Sequence, residues 1–247
     1  MSGHRRFSVA RKTLMTALLA TTASGAWAAV PVWARLLHWM SGDSDRTTVP
    51  VEAMGAHMQM SRRAPAQPGD LARGAEIITA ARNVLRRYPD VASAERDGYR
   101  PFHQTGQLGE EIHYTSIGYG YSESRHVDYA HPGSLLFRRT AQGLKSVGVM
   151  YSAPGNATTA TLNAIAPLSL ASFHRHVDFC LARGREAETS QDPRFGYEGI
   201  LHTQATCKKA GGYWLPLAFG WMTHVYPDEA QVWGGEEMSM LQAEPPA

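Results

Sequence analysis

The stretch Phe173-His174-Arg175-His176-Val177-Asp178-Phe179-Cys180 constrains the fold of this 247-residue chain more than any other. On an extended strand, side chains alternate between faces, so His174, His176, Asp178 and Cys180 are expected on one face and Phe173, Val177 and Phe179 on the other. The apolar side belongs against a core, and the opposite side collects donors. An H-x-H pair sets two imidazoles about 6.6 Å apart along one face, close enough for both to converge on an ion at ~2.0–2.1 Å. The same pair in a polar layer would only hydrogen-bond, so the two residues by themselves do not decide between a ligand set and a polar layer.

The surrounding sequence places this strand in an α+β fold, with short N-terminal helices packed on a mainly antiparallel β-sheet or partly closed barrel. After Asp70 as a capping residue, Ile77, Ile78, Ala81, Val84, Leu85 and Tyr88 recur at helical spacing. Pro89-Asp90 interrupts, and Val91 to Arg96 reads as a second helix closed by Gly98. From Tyr99 onward short β-like runs take over. His113 to Thr115, Ser134 to Arg138 and Lys145 to Tyr151 are the clearest, the last two joined by a hairpin at Thr140-Ala141-Gln142-Gly143. Runs from Leu168 to Leu181 and from Gly212 to Tyr226 complete the β-rich half, and no internal repeat is visible.

At the N-terminus, Arg5, Arg6, Arg11 and Lys12 precede an apolar run from Leu14 to Ala20, with Ala26-Trp27-Ala28 as a cleavage site. This gives residues 1–28 the form of a secretory signal peptide and the remainder a periplasmic or secreted location. The uncharged run from Thr13 to Ala34 is also long enough to be a retained membrane anchor. The Arg5-Arg6 pair suggests the twin-arginine route, although Phe7 follows it one residue early. Residues 29–69 read as a linker or extended arm, 70–235 as a single domain and 236–247 as a tail. Lys plus Arg exceeds Asp plus Glu by only two, 24 against 22. Five of those basic residues lie within the first twelve or at Arg35, so nothing points to nucleic acid. Cys180 and Cys207 are the only cysteines, and in an oxidising compartment they are expected to form a disulfide.

Two further histidines lie in β-like contexts, His113 in Glu111-Ile112-His113-Tyr114-Thr115 and His224 in Trp221-Met222-Thr223-His224-Val225-Tyr226. Each alone is an ordinary core histidine. With His174 and His176 they supply three or four imidazoles for one transition-metal ion, copper or zinc in the first place and iron or manganese as alternatives. Glu110, Glu111 and Asp178 are the nearest carboxylates. Softer donors occur in Met54-Gly55-Ala56-His57-Met58-Gln59-Met60, where thioethers would favour Cu(I) or simply fill gaps against a core. Walker A, dinucleotide-binding, Gly-x-Ser-x-Gly and H-E-x-x-H patterns are absent. Gly118-Tyr119-Gly120 reads as a turn. A Cys180 nucleophile with His176 as base can be drawn, but oxidation of the cysteine pair is the simpler outcome.

Taken in order, Asp97-Gly98-Tyr99, His113-Tyr114-Thr115, Leu135-Leu136-Phe137, Gly148-Val149-Met150-Tyr151, Phe173-His174-x-His176-x3-Cys180, Cys207, Gly211-Gly212 and Phe219-Gly220-Trp221-Met222-x-His224-Val225-Tyr226-Pro227 resemble a family of exported bacterial proteins with no assigned activity. The resemblance runs from about residue 54 to 233, with Phe173 where that family is expected to carry Trp. It implies one domain and export, and names no reaction. His174, His176 and His224 also follow the two-plus-one order of cupins, but the Glu expected soon after the H-x-H is missing and the glycine and proline frame is unmatched. The expectation is therefore an exported metal-binding protein with ligands His174, His176 and His224, and His113 as a fourth. The alternatives are a cupin-like metal-dependent enzyme, or a non-metal binding or envelope-structural module whose Tyr114, Tyr119, Tyr121, Trp214 and Trp221 grip a small-molecule or glycan ligand.

Overall fold

The computed structural model describes residues 47–102, 107–183, 192–196 and 199–234. The signal-peptide or anchor reading of 1–28 and the tail at 236–247 lie outside these residues. The stretch expected as a linker carries β1 (Val51–Ala53) and β2 (Met58–Ser61) before α1 (Asp70–Arg87) and α2 (Val91–Arg96). Next come β3 (Arg100–Pro101), β4 (Glu111–Thr115), α3 (Ile117–Glu123), β5 (Ser134–Thr140), β6 (Gly143–Ala153) and α4 (Thr159–Ile165). The described chain ends with β7 (His174–Leu181), α5 (Gln204–Lys209), β8 (Tyr213–Val225) and β9 (Trp233–Gly234).

Helix α1 begins after Gly69, and Asp70 does not cap it with its side chain. Instead the buried Asp70 carboxylate accepts from the Gln67 amide and the Ser169 hydroxyl, tying the helix to the loop before β7. Helix α2 carries a reciprocal capping box between Asp90 and Ser93. Gly118-Tyr119-Gly120, expected as a turn, lies inside α3, because the Ser116 side chain caps that helix.

All pairings in the nine-stranded sheet are antiparallel, in the order β1-β2-β7-β8-β6-β5-β4-β3, with β9 added to the end of β8. The sheet does not close into a barrel. Its ends are the three-residue β1 and the two-residue β3, which contains Pro101; short strands and proline blunt an edge against further pairing. The expected hairpin joins β5 to β6, with Thr140 paired to Gly143.

One sheet face packs on α1. Ile77, Ala81 and Val84 from the helix meet Ile112, Tyr114, Leu135, Phe137, Val149, Tyr151, Phe173, Trp221 and Val225 in the main core. On β4 and the last third of β8 the core residues are every second one, as the two-residue strand period requires. Glu111, His113, Met222, His224 and Tyr226 are the residues left for the opposite face.

Cys180 and Cys207 form a disulfide, with an S–S distance of 2.10 Å across a separation of 27 residues. The sulfurs lie against Gly212, where an added Cβ would stand 2.4 Å from the Cys180 Sγ. Among the described residues no helix is long and apolar enough to cross a membrane. The disulfide is compatible with an exported protein.

Candidate metal centre

Three strands each deliver an i, i+2 pair to the face away from α1: Glu111 and His113 from β4, His174 and His176 from β7, and His224 and Tyr226 at the end of β8. The four imidazoles form a continuous row, each ring meeting the next edge-on. Ring centroids are 5.2 Å apart for His176–His174, 5.1 Å for His174–His224 and 5.2 Å for His224–His113. The row is deeply set: His174 is 0 %, His176 4 % and His224 1 % exposed.

Strand order alone would not bring these rings together. β8 and β4 are three steps apart in the sheet, about 14 Å at ~4.8 Å per step, so a flat sheet would hold His224 and His113 well apart. Their contact requires the sheet to curl, with the histidines on its concave side. A register shift between Leu136 and Phe137 on β5 helps, since bulges bend and twist a strand. Gly148 supplies the space: a Cβ there would stand 2.8 Å from Cδ1 of Tyr226. The bare glycine lets the Tyr226 ring reach toward β4.

One bulge in the pairing with β8 and one left-handed residue govern what β7 presents. Between His174 and His176, β8 advances from Met222 to Ala218, with Phe219 and Gly220 at φ 71° and 92°. Gly220 is needed there because a Cβ would come within 2.5 Å of the Ala153 carbonyl oxygen. On β7 itself Asp178 has φ 61°, a left-handed conformation that Asp tolerates better than most residues. The residues beyond it therefore exchange faces. Phe179, expected on the core side, sits 6.1 Å from the His176 ring and 5.2 Å from His57. Cys180, expected beside the histidines, packs in a separate cluster with Phe195 and Cys207. The shared face predicted for His174, His176, Asp178 and Cys180 thus holds for the two histidines and does not extend to Cys180.

Glu111 is the carboxylate that joins the row; Glu110 faces Arg139 at 3.7 Å instead. Glu111 Oε1 lies 3.9 Å from His113 Nε2 and 4.0 Å from His224 Nδ1. It accepts a hydrogen bond from the Tyr226 hydroxyl at 2.7 Å, while Oε2 accepts from Arg138 at 3.3 Å. With the Tyr226 proton directed at Glu111, the 3.1 Å contact between Tyr226 Oη and His224 Nδ1 has the imidazole as donor. His224 is then the Nδ1–H tautomer. Its Nε2 keeps the lone pair, buried and with no hydrogen-bond partner among the described residues. Burial, followed by the neighbouring His174, His113 and His176 rings, holds the His224 pKa well below the ordinary histidine range, so the ring is neutral. Burial also raises the Tyr226 phenol, reinforced by Glu111, so that it stays a donor.

Glu111, His113 and His224 could hold a metal ion: one ligand atom from each lies within 4.8 Å of the others, the only such group of three or more among the described residues. Two donors ~2.1 Å from a tetrahedral ion stand about 3.4 Å apart, so the 3.9 Å between Glu111 Oε1 and His113 Nε2 needs a contraction of roughly half an ångström. His174 and His176 fall outside this group; the His174 ring meets that of His224, and the His176 ring meets that of His174. Sequence reasoning left Glu111 as one of three carboxylates and missed Tyr226. Both had a readable signal, being two residues from His113 and His224 on the same strand or its immediate continuation.

The aromatics of the ligand-pocket alternative are dispersed. Tyr114 and Trp221 are buried in the main core, and Trp214 packs with the disulfide cluster. His57 is also committed, both ring nitrogens facing carbonyl oxygens, of Val177 and Gly199. No family model, curated protein or solved structure matches this chain.

Proposed function

We propose that this is an exported metal-binding protein whose concave sheet face holds one transition-metal ion through Glu111, His113 and His224. The observation that carries the reading is the convergence of these three side chains, from strands far apart in the sheet, to within 4.8 Å. Two imidazoles with one carboxylate suit zinc or copper, and extend to iron or manganese. The arrangement around the donors supports the reading as well. Tyr226 and Arg138 hold Glu111 by its two oxygens, the outer-shell support that metal ligands usually carry. A neutral His224 has no proton to lose before it can ligate, and leaving its Nε2 bare costs about 1–3 kcal/mol unless an ion or water meets it.

Access favours small solutes. The side chains of His113 and Glu111 are 22 % and 17 % exposed and His224 is 1 %, so the donors form a descent from the surface to a buried end. A bound ion with a free coordination position would polarise a ligand there, as a Lewis acid does. The test is elemental analysis of the full chain, expressed without a histidine tag, beside His224→Ala and His113→Ala. About one equivalent of Zn, Cu, Fe or Mn in the parent and a loss in both variants, each still folded by circular dichroism, is the expected result. Equal metal content in all three proteins would end the proposal.

A further inference from the structure

We propose that β2 and β7 together form a second metal site, selective for Cu(I), built from Met58, Met60, His174 and His176 at the other end of the histidine row from Glu111. The site goes beyond the Glu111–His113–His224 centre and does not depend on it, since it rests on the register of two neighbouring strands. Met58 is paired directly with His176, and Met60 with His174. Directly opposed residues in an antiparallel pair project to the same face, and residues two apart on each strand do so too. All four side chains therefore rise from one face of the sheet, the face that carries His224. The intervening pair confirms this: Gln59 and Arg175 bond to each other, and Arg175 lies over the Trp221 ring on the core side.

The four positions make a rectangle about 5 Å across the strands and about 6.6 Å along them. Its centre is about 4 Å from each corner in the plane of the sheet, within reach of a Met thioether or a His ring tilted inward. The two imidazoles are already in edge contact at 5.2 Å. Met58 is 5 % exposed, yet it joins none of the four apolar clusters found among the described residues. Met60 is half-buried and lies next to the edge strand β1, which gives an ion a route in from solvent.

The donor chemistry separates the two ends of the row. Thioethers are soft ligands that select monovalent copper and add little for Zn(II), whereas the Glu111 carboxylate is a hard donor that suits divalent ions. Two thioethers and two imidazoles carry no negative charge to the ion as ligands, which also suits a monovalent over a divalent cation. His57, the third potential donor of this segment, is excluded because both its nitrogens already face backbone carbonyls.

The test uses the full chain without a tag, titrated anaerobically with Cu(I) against bicinchoninate and, separately, with Zn(II) against a chromophoric chelator. Met58→Leu/Met60→Leu nearly conserves side-chain volume, so the fold should survive. It is expected to weaken Cu(I) binding at least tenfold while leaving Zn(II) unchanged. Glu111→Gln/His113→Ala should do the reverse. X-ray absorption of the Cu(I)-loaded parent should show sulfur in the copper shell, a reading that needs no variant. Undiminished Cu(I) affinity in the Met variant, a shell of nitrogen and oxygen only, or failure of the parent to take up Cu(I) would each overturn the second site. Loss of both metals in both variants would also overturn it, in favour of a single shared site. Loss of Cu(I) in the Met variant with no zinc bound by the parent would sink the first site and leave the second standing.

Discussion

The two faces of the sheet are built from alternate residues of the same strands and have opposite characters. Toward α1 the face is filled by Trp221, Tyr99, Tyr151, Phe137 and Phe173, none exposed. Three of its tyrosine hydroxyls end on backbone carbonyls, Tyr99 on Pro132, Tyr151 on Tyr129 and Tyr129 on Ile165. The concave face buries His174, His176 and His224 just as deeply, and surrounds them with Met58, Met150 and Met222. Imidazoles lose solvation on burial and add little hydrophobic stabilisation, so their depth is hard to explain by folding alone. The comparison teaches that the two faces bury different chemistry to the same depth, aromatic and aliphatic carbon on the first and imidazoles among thioethers on the second.

Core substitution gives the largest separation of the two. Trp221→Ala should destabilise the protein by about 3–5 kcal/mol in denaturant titration, as expected for emptying a fully buried aromatic site. His224→Leu, three residues further on and equally buried, should change the metal-free midpoint by less than about 1 kcal/mol, since removing a buried lone pair offsets the altered packing. Comparable losses for both would break the distinction and make the concave face a second core.

The next effect sharpens the distinction within the concave face. Tyr226→Phe keeps the ring and removes the hydroxyl that fixes Glu111 and the His224 tautomer. Metal affinity at the Glu111 site should fall about 10–100-fold with the ion and fold otherwise retained, measured by chelator competition. An unchanged affinity would mean that Tyr226 only packs.

Smallest per pH unit is the effect of the ionisable side chain that intrudes on the helical side. Glu123 of α3 is 3 % exposed, beside the amides of Gly133 and Ser152, and burial pushes its pKa up to about 8 from 4.5. The folded protein then holds this proton more tightly than the unfolded chain does. Stability should fall as pH rises between about 4.5 and 8, by at most about 1.4 kcal/mol per pH unit. Glu123→Gln should flatten that slope in thermal melts across the window, whereas an identical slope in the variant would place its origin elsewhere.

Much of this was legible in particular residues. The spacing from Ile77 to Tyr88 announced α1, the Thr140–Gly143 segment announced the hairpin, and the lone cysteine pair announced its disulfide. Each is a local pattern set by a helical period, a turn or a count. The β1–β2 hairpin was hidden because Met58 to Ser61 is too short to show a period, and α3 because two glycines masked a helix that Ser116 caps.

The sequence by itself determined the donor pairs. Met58 and Met60, Glu111 and His113, His174 and His176, and His224 and Tyr226 are each two residues apart, and the pleat of an extended chain puts both members on one face. Which pairs would meet was decided only by the tertiary structure. Strand order, the curl that brings β4 over to β8, and the left-handed turn at Asp178 that sends Cys180 away from the histidines all depend on contacts between segments distant in the chain, which no local periodicity records.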